Sequence, residues 1–277
     1  MTLATTRELV EEAVGRGSGV LAFNVITLEH AEGILAGAAR AGRPVILQVS
    51  ENAVRYHGSA APLLAACTEL ARAHAARAAL HLDHVTDAGL LEVDRLAGVS
   101  SVMFDASADE YAANVAGTRE VTSLLHAADL LVEAELGAIG GKEGAHAPGV
   151  RTDPDEASAF VRDTGVDLLA VAVGSTHAMT EATAVVDGDL VRRIAAVVPV
   201  PLVLHGSSGV PRDQLRALLG AGMAKINVGT ALNVAFTDQV RRVLGDDPAL
   251  TDPRKYLRAA REAVADLVEQ TLLDVVG

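Results

Sequence analysis

The most regular feature of the chain is a short apolar run that ends on a polar residue and is followed by a longer Ala/Leu-rich stretch. Eight such runs occupy residues 20–24, 44–48, 79–83, 101–105, 130–135, 168–174, 201–206 and 224–229. Their starts lie about 20 to 40 residues apart, which leaves room for one strand, one loop and one helix each. The pattern therefore predicts parallel strands that alternate with helices.

The number of these units decides between two α/β architectures. Eight β-α units predict a closed (β/α)8 or TIM barrel, which we take as a single domain over residues 1–277. An open doubly wound sheet would also alternate, but the glycine spacing at 15–19 does not match a dinucleotide-binding turn. Two further helical patterns at 231–244 and 254–275 follow the last run. We expect these extra C-terminal helices to cover the barrel exterior or to form a subunit contact.

Composition and charge narrow the class of partners. The 277 residues include 23 Lys and Arg against 36 Asp and Glu, for a formal net charge of −13. Because nucleic acid and anionic membranes both attract basic surfaces, neither is an expected partner. The apolar runs are far shorter than the roughly 18 residues of a membrane span, and we expect a cytoplasmic protein. A single cysteine, Cys67, excludes an intramolecular disulfide and a multi-cysteine zinc site.

Polar residues gather at the ends of the predicted strands. They are Asn24, Gln48, Asp83, Asp105, Glu133, Glu135, His205 and Asn227, with Ser50, His84 and His177 just beyond. The C-terminal face of a barrel carries the active site, because its loops converge there. Three histidines in this set can meet at one point, and three neutral imidazoles with an open position make a catalytic zinc site.

Glycine-rich turns follow the seventh and eighth runs. Barrels often bind phosphate between these two loops, through backbone N–H groups and a helix N-terminus. Gly206 and Gly209 allow close backbone approach, whereas Ser208 and Thr230 supply hydroxyl groups. The pattern predicts a phosphate site here.

Carboxylates mark the fifth run and the loop after it. Glu133 and Glu135 share one face of the predicted strand, and buried paired carboxylates need a cation or a shared proton. Glu143 follows two glycines, Gly140 and Gly141, and such a hinge suits a general base that swings over bound substrate. The alternative interpretation of Glu143 as a solvated loop residue stays open on this pattern alone.

Several motifs occur together, in one order, between Gly19 and Leu257. They are AFN, HLDH, SVMFDAS, VEAELG with GGKE, GSTH, LHGSSG, KINVGT and DPRKYL. In this combination the chain resembles the class II, metal-dependent fructose-bisphosphate and tagatose-bisphosphate aldolase family. The resemblance implies reversible retro-aldol cleavage of a ketose (bis)phosphate, such as fructose 1,6-bisphosphate, to dihydroxyacetone phosphate and an aldehyde.

The resemblance also implies a role for individual residues. Zinc would be bound by His84, His177 and His205, with Glu135 near the metal or at an alternative metal position. Asp83 would be the acid/base on the aldehyde-derived oxygen, Glu143 would move the proton at the ketose C3 carbon, and Asn227 would orient the enediolate. The residues implied at the substrate and its phosphates are Asn24, Ser50, Gly206, Ser208, Gly229, Thr230 and Arg254. Arg254 would reach a second phosphate across a subunit interface, in a homodimer or homotetramer, and a monovalent cation would lie near the first phosphate.

Departures from the family pattern keep other functions open. Val85 follows His84, Ala178 follows His177, and the stretch 178–188 differs from the usual one, so the family pattern specifies the reaction more closely than the substrate. One alternative is the same mechanism on tagatose 1,6-bisphosphate or another phosphorylated ketose. Others are a Schiff-base aldolase that uses Lys225 and a non-catalytic sugar-phosphate-binding protein. We interpret Arg55 as a solvated residue at a helix start, with an extra anion contact as the alternative.

Overall fold

The barrel of the protein closes in chain order. The computed structural model describes residues 3–136, 151–175, 181 and 183–277. Within them eight parallel strands form a closed ring from β1 to β8, so the predicted TIM barrel is confirmed. The strands are β1 (Val20–Asn24), β2 (Val45–Ser50), β3 (Ala78–Val85), β4 (Val99–Phe104), β5 (Leu131–Glu135), β6 (Leu168–Ala170), β7 (Leu202–Leu204) and β8 (Met223–Val228).

The strands are Val-, Leu- and Ala-rich because both faces of a parallel barrel are buried. β6 and β7 are shorter than the apolar runs that predict them. In both cases the chain leaves the ladder and reaches a glycine with positive φ, 118° at Gly174 and 66° at Gly206. The polar ends of these two runs therefore lie in loops at the C-terminal face, where residues can converge on a site.

Helices surround the barrel. They are α1 (Thr6–Gly15), α2 (Leu28–Ala41), α3 (Glu51–His57), α4 (Ala61–Ala73), α5 (Tyr111–His126), α6 (Pro154–Thr164), α7 (Gly188–Val197), α8 (Arg212–Ala221), α9 (Thr230–Asp246) and α10 (Pro253–Val275). Among the described residues, none of these helices has the length and apolar character needed to cross a membrane.

The two predicted C-terminal helices, α9 and α10, cover the outside of the barrel. α10 packs along α2, where glycines let the two backbones approach closely. A Cβ added at Gly37 would lie 2.4 Å from the carbonyl oxygen of Ala265, so a side chain at Gly37 would force the helices apart.

The barrel interior is apolar at one end and polar at the other. α1 contributes Leu9, Val10 and Ala13 to a buried cluster that includes Ile46 and Met103 at the N-terminal end of the barrel. The inward-facing residues nearer the C-terminal end are charged or polar, and they are buried as well: Gln48, His81, Asp83, Glu133, His205, Lys225 and Asn227. Since buried charges need partners, this polar layer is the place to look for a functional site.

Candidate active site

A cavity of about 570 Å³ opens at the C-terminal face of the barrel. Most of the predicted site residues line it: Asn24, Ser50, Asp83, His84, His205, Gly206, Ser208, Asn227, Gly229 and Thr230. Arg254 does not line it, because it lies at the start of α10, is 84% exposed and pairs with Asp252. Glu143 and His177 lie outside the described residues, so their predicted positions remain predictions.

His84 reaches the cavity through a local irregularity of β3. In a regular strand the neighbours Asp83 and His84 would point to opposite faces. Between Leu82 and Val85, however, the register of β3 against β4 shifts, and His84 has a φ of 49°. This bulge turns the imidazole toward the barrel mouth while Asp83 still faces inward, as bulges commonly do beside active sites.

A carboxylate orients the His84 ring from the end of β4. His84 Nδ1 lies 2.8 Å from Asp105 Oδ2. The other oxygen, Asp105 Oδ1, accepts hydrogen bonds from the backbone N–H and the hydroxyl of Ser107, at 3.1 and 2.6 Å. Because a carboxylate accepts and does not donate, Asp105 favours the tautomer of His84 that carries its proton on Nδ1.

His205 is oriented in a similar way from inside the barrel. It follows β7, is fully buried, and places Nε2 at 2.9 Å from Glu133 Oε1 on β5. The second oxygen of Glu133 accepts a hydrogen bond of 2.7 Å from Lys225 Nζ on β8. Asn227 Nδ2 also lies 3.1 Å from His205 Nε2, but the charged acceptor is the stronger partner and places the His205 proton on Nε2.

The two rings therefore face each other through their remaining nitrogens. His84 Nε2 and His205 Nδ1 are 2.9 Å apart, and the rings meet edge to face. With both other nitrogens protonated, two lone pairs point at one place, which is stable only with a proton or a metal ion between them. Asp83, His84 and His205 each offer a ligand atom within 4.8 Å of the others. This donor set fits a divalent metal of the kind that imidazole and carboxylate bind.

Glu135 lies beside this group rather than inside it. His84, Asp105 and Glu135 form a second set of ligand atoms within 4.8 Å of one another in the described part of the chain. Its position fits the predicted role near the metal or at an alternative metal position.

The electrostatics of the pair favour one added positive charge. Burial opposes the charged form of His84, but Asp83 and the hydrogen bond to Asp105 outweigh it and raise the pKa of His84 to about 10. Burial lowers the pKa of His205, and the charge on His84 lowers it further. The surroundings of the pair therefore favour one positive charge at this place, as a proton or as a cation.

Asp83 is a buried, ionised carboxylate next to these histidines. Gln48 Nε2 lies 3.3 Å from one of its oxygens and Asn227 Nδ2 lies 3.4 Å from the other. Burial alone would raise the pKa of Asp83, but His84 and His81 lower it well below its ordinary value. The group can accept a proton from a substrate hydroxyl that enters the cavity.

Lys225 is engaged inside the barrel. Its side chain is fully buried and forms an ion pair with Glu133. Burial alone would raise the pKa of Glu133, but Lys225 and His205 lower it well below its ordinary value. A Schiff-base lysine must present a neutral amine to the substrate. Lys225 instead serves as the counterion of Glu133, which argues against the Schiff-base alternative at this residue.

The predicted phosphate turns lie at the edge of the same cavity. Gly206 adopts the left-handed conformation and starts a single 3-10 turn, Ser207–Gly209. Ser208 Oγ accepts a hydrogen bond of 3.1 Å from the backbone N–H of Ala231 in the first turn of α9. A Cβ at Gly229 would lie 3.1 Å from Asn24 Oδ1, so glycine keeps this wall of the cavity open. Backbone N–H groups at a helix start suit an anion.

Comparison with known proteins decides the family. The profile of the class II fructose-bisphosphate aldolases matches residues 4–276. The chain belongs to this family. The class II aldolases are carbon–carbon lyases, and this chain is 37% identical to the fructose-bisphosphate aldolase of Thermus caldophilus, over 98% of this chain and 97% of that one.

Solved structures of aldolases have the same fold as this chain. The YdjI aldolase from Escherichia coli K12 is 28% identical, with a TM-score of 0.83 over 99% of this chain and 97% of that one. A putative fructose-1,6-bisphosphate aldolase from Coccidioides immitis is 26% identical, with a TM-score of 0.85 over 98% and 95% of the two chains.

Sequence reasoning did not assign three residues that support this aldolase site. Asp105 and Glu133 are recognisable as polar residues at strand ends, but the sequence does not say which histidine each carboxylate contacts. Lys225 is a candidate Schiff-base lysine in the sequence, but the sequence does not show that it pairs with Glu133. A buried lysine needs a buried acid, and that rule could have linked Lys225 to one of the two carboxylates on β5.

Proposed function

We propose that the protein is a zinc-dependent aldolase that reversibly cleaves a ketose bisphosphate such as fructose 1,6-bisphosphate to dihydroxyacetone phosphate and an aldehyde. The observation that carries the proposal is the pair of facing nitrogens, His84 Nε2 and His205 Nδ1, 2.9 Å apart beside Asp83. His177 is the proposed third ligand. Zinc, when bound, supplies a Lewis acid for the oxygens on which negative charge develops.

Proton transfer at the substrate hydroxyl falls to Asp83. The bond to be cleaved lies next to a hydroxyl whose proton must leave as the aldehyde forms. Asp83 is deprotonated and buried, so it accepts this proton and returns it to the aldehyde oxygen in the reverse direction. The amide of Asn227, at 3.4 Å from Asp83 and 3.1 Å from His205, orients the enediolate. Glu143 is the proposed group that moves the proton at the ketose C3 carbon.

Substrate positioning falls to the rim of the cavity. Asn24 and Ser50 contact the sugar chain, and Asn24 Oδ1 is held by Gln48 Nε2 at 2.6 Å. The residues proposed for the first phosphate are Gly206, Ser208, Gly229 and Thr230, with a monovalent cation beside them. Arg254 is exposed and remote from the cavity of its own chain, so its proposed contact with a second phosphate requires a homodimer or homotetramer. We place this single-domain enzyme in the cytoplasm, in sugar-phosphate metabolism such as glycolysis.

The test is cleavage of fructose 1,6-bisphosphate with metal analysis of the same sample. Triose phosphate release is followed by reduction of dihydroxyacetone phosphate, before and after treatment with a chelator and after addition of Zn²⁺. We expect one zinc per chain, loss of activity without it and recovery on its return. Full activity of metal-free protein, or covalent trapping of substrate by borohydride, would contradict the proposal. Tagatose 1,6-bisphosphate, run in parallel, measures the stereochemical preference.

A further inference from the structure

The described cavity lining contains few positive charges for a substrate with two phosphate groups. Among the described lining residues, Arg55 is the only lysine or arginine, whereas Glu51 and Asp83 are acidic. A phosphate at the glycine turns can be held by backbone N–H and hydroxyl groups. A second phosphate has no such turn in the described lining, and a cationic side chain is the usual alternative partner.

Arg55 lies on a different side of the barrel mouth from the predicted phosphate turns. It is on α3, directly after β2, and in the closed ring β2 is separated from β8 by β1. Each step around a ring of eight strands turns by about 45°, so α3 lies about 90° from the β8 turn and about 135° from the β7 turn. Arg55 therefore lines the same cavity as His84 and His205 but away from the turns, where the far end of an extended substrate can lie.

Glu51 holds Arg55 in place without consuming its hydrogen-bonding capacity. The Glu51 carboxylate is almost fully buried and accepts hydrogen bonds from the backbone N–H groups of Thr86 and Asp87, at 2.6 and 3.1 Å. It also pairs with Nη2 of Arg55, whose side chain is 64% exposed. Glu51 therefore anchors one edge of the guanidinium of this cavity-lining residue, and the planar fork has further N–H donors.

We propose that Arg55 contacts the terminal anionic group of the substrate within its own subunit, in addition to the contact proposed above for Arg254 of a neighbouring subunit. Arg55 thereby strengthens the preference for a ketose bisphosphate over a ketose monophosphate. This inference rests on the proposed function and names a specificity residue for it. Glu51 is the positioning residue, because anchoring lowers the entropy that Arg55 loses when it binds an anion. Arg55 is solvated, as the sequence predicts, and its place in the cavity lining supports an anion contact in addition.

The experiment compares two substrates on matched variants of the zinc-loaded enzyme. kcat and KM are measured for fructose 1,6-bisphosphate and for fructose 1-phosphate, which lacks the distal phosphate. Arg55→Gln removes the charge, and Arg55→Lys keeps it without the fork. Arg72→Gln is the control, because Arg72 is 55% exposed, also pairs with a glutamate on its own helix and lies in the last turn of α4 outside the cavity lining.

We expect Arg55→Gln to lower kcat/KM for the bisphosphate by about 10- to 100-fold, since it loses a charge-assisted hydrogen bond. The monophosphate value should change less than about twofold, and Arg55→Lys should fall in between. Arg72→Gln should match the wild type on both substrates. The melting temperature of each variant, measured beside the kinetics, separates loss of recognition from loss of folding.

Other outcomes separate this inference from the function on which it rests. If Arg55→Gln keeps the wild-type preference for the bisphosphate, or if the wild type cleaves both substrates equally well, Arg55 is not the determinant while the aldolase activity stands. If the wild type cleaves neither substrate, the proposed function fails. In that case calorimetric binding of the two sugar phosphates to wild type and Arg55→Gln still decides whether Arg55 holds the distal phosphate.

Discussion

Each of the two histidines of the candidate metal site contributes one nitrogen to the facing pair, but different parts of the molecule hold the two rings in place. His84 is 27% exposed, lies in a bulge at the end of β3 and is oriented by Asp105 at the barrel rim. His205 is fully buried and is oriented by Glu133, which is itself paired with Lys225 inside the barrel. One ligand is thus held by loops and the other by the core.

Because of this difference, changes around His84 can affect metal binding with little effect on the stability of the fold. Changes around His205 should affect both. The Asp105 carboxylate is held mainly by the nearby Ser107, so the His84 side of the site can change at small cost to the barrel. Glu133 contacts His205, directly after β7, and Lys225 on β8, and it lies in the polar layer of the interior. Removal of one partner there leaves a buried charge without compensation, which is costly.

Removing either histidine is expected to have the largest effect and to expose the asymmetry. His84→Ala and His205→Ala should both lose zinc and, with it, aldolase activity, because the facing nitrogen pair no longer exists. In the metal-free state His205→Ala should cost about 2–4 kcal/mol of unfolding free energy, because it leaves a buried cavity and leaves one oxygen of Glu133 without its hydrogen-bond donor. His84→Ala should cost less, about 1–2 kcal/mol, because its site is partly exposed although buried Asp83 loses a favourable charge. Metal analysis and urea unfolding measure the two effects, and stoichiometric zinc in His84→Ala would remove it from the ligand set.

Asp83→Ala tests the carboxylate that lies beside both histidines. It should keep zinc, because both imidazoles and their carboxylates remain, yet lower kcat by about 10²–10⁴-fold through loss of the acid/base. Metal content and steady-state cleavage are measured on one preparation. Loss of zinc in this variant would mean that Asp83 holds the site together rather than moving a proton.

Changing the residues that orient the histidines, while the histidines remain, should have smaller effects on zinc binding that differ between the two sides of the site. Asp105→Asn should weaken zinc affinity by about 10- to 100-fold with little change in stability. Lys225→Met should weaken zinc affinity to a similar extent and also cost about 3–5 kcal/mol, because Glu133 stays buried without its counterion. Competition with a chelator gives the affinity, and urea unfolding gives the stability. Equal stability of the two variants would contradict the division into a loop-held and a core-held ligand.

The smallest expected effect is a pH dependence of the metal-free protein. The pKa of His84 is about 10 in the folded state against an ordinary value of 6.5. A raised folded pKa contributes stability that is complete below pH 6.5 and is lost as the pH rises through about 10. The melting temperature of metal-free protein should therefore fall by several degrees over this window, and zinc should restore it. His84→Gln, which cannot be protonated in this range, should show a weaker dependence over the same window.

Much of the fold is readable without coordinates because it depends on local periodicity. The eight apolar runs predict the eight strands, and the surplus helical pattern predicts α9 and α10. Closure brings strand ends to one face, so Asp83, His84 and His205 are predictable as neighbours although His84 and His205 lie 121 residues apart. The runs at β6 and β7 overestimate strand length, since apolar residues continue into buried loops where the ladder has ended.

The sequence by itself determined the barrel, its active face, the residue types for a metal site and the resemblance to class II aldolases. Only the tertiary structure decided which buried groups share a layer. Glu133 and Lys225, 92 residues apart, form an ion pair because the tilt and stagger of closed strands bring them to the same height. Side-chain alternation tells which residues face inward but not which partner each one meets across the barrel. For the same reason the sequence predicts that Arg55 is a solvated residue at a helix start, as its exposed side chain confirms, but not that it lies in the cavity wall where Glu51 anchors it.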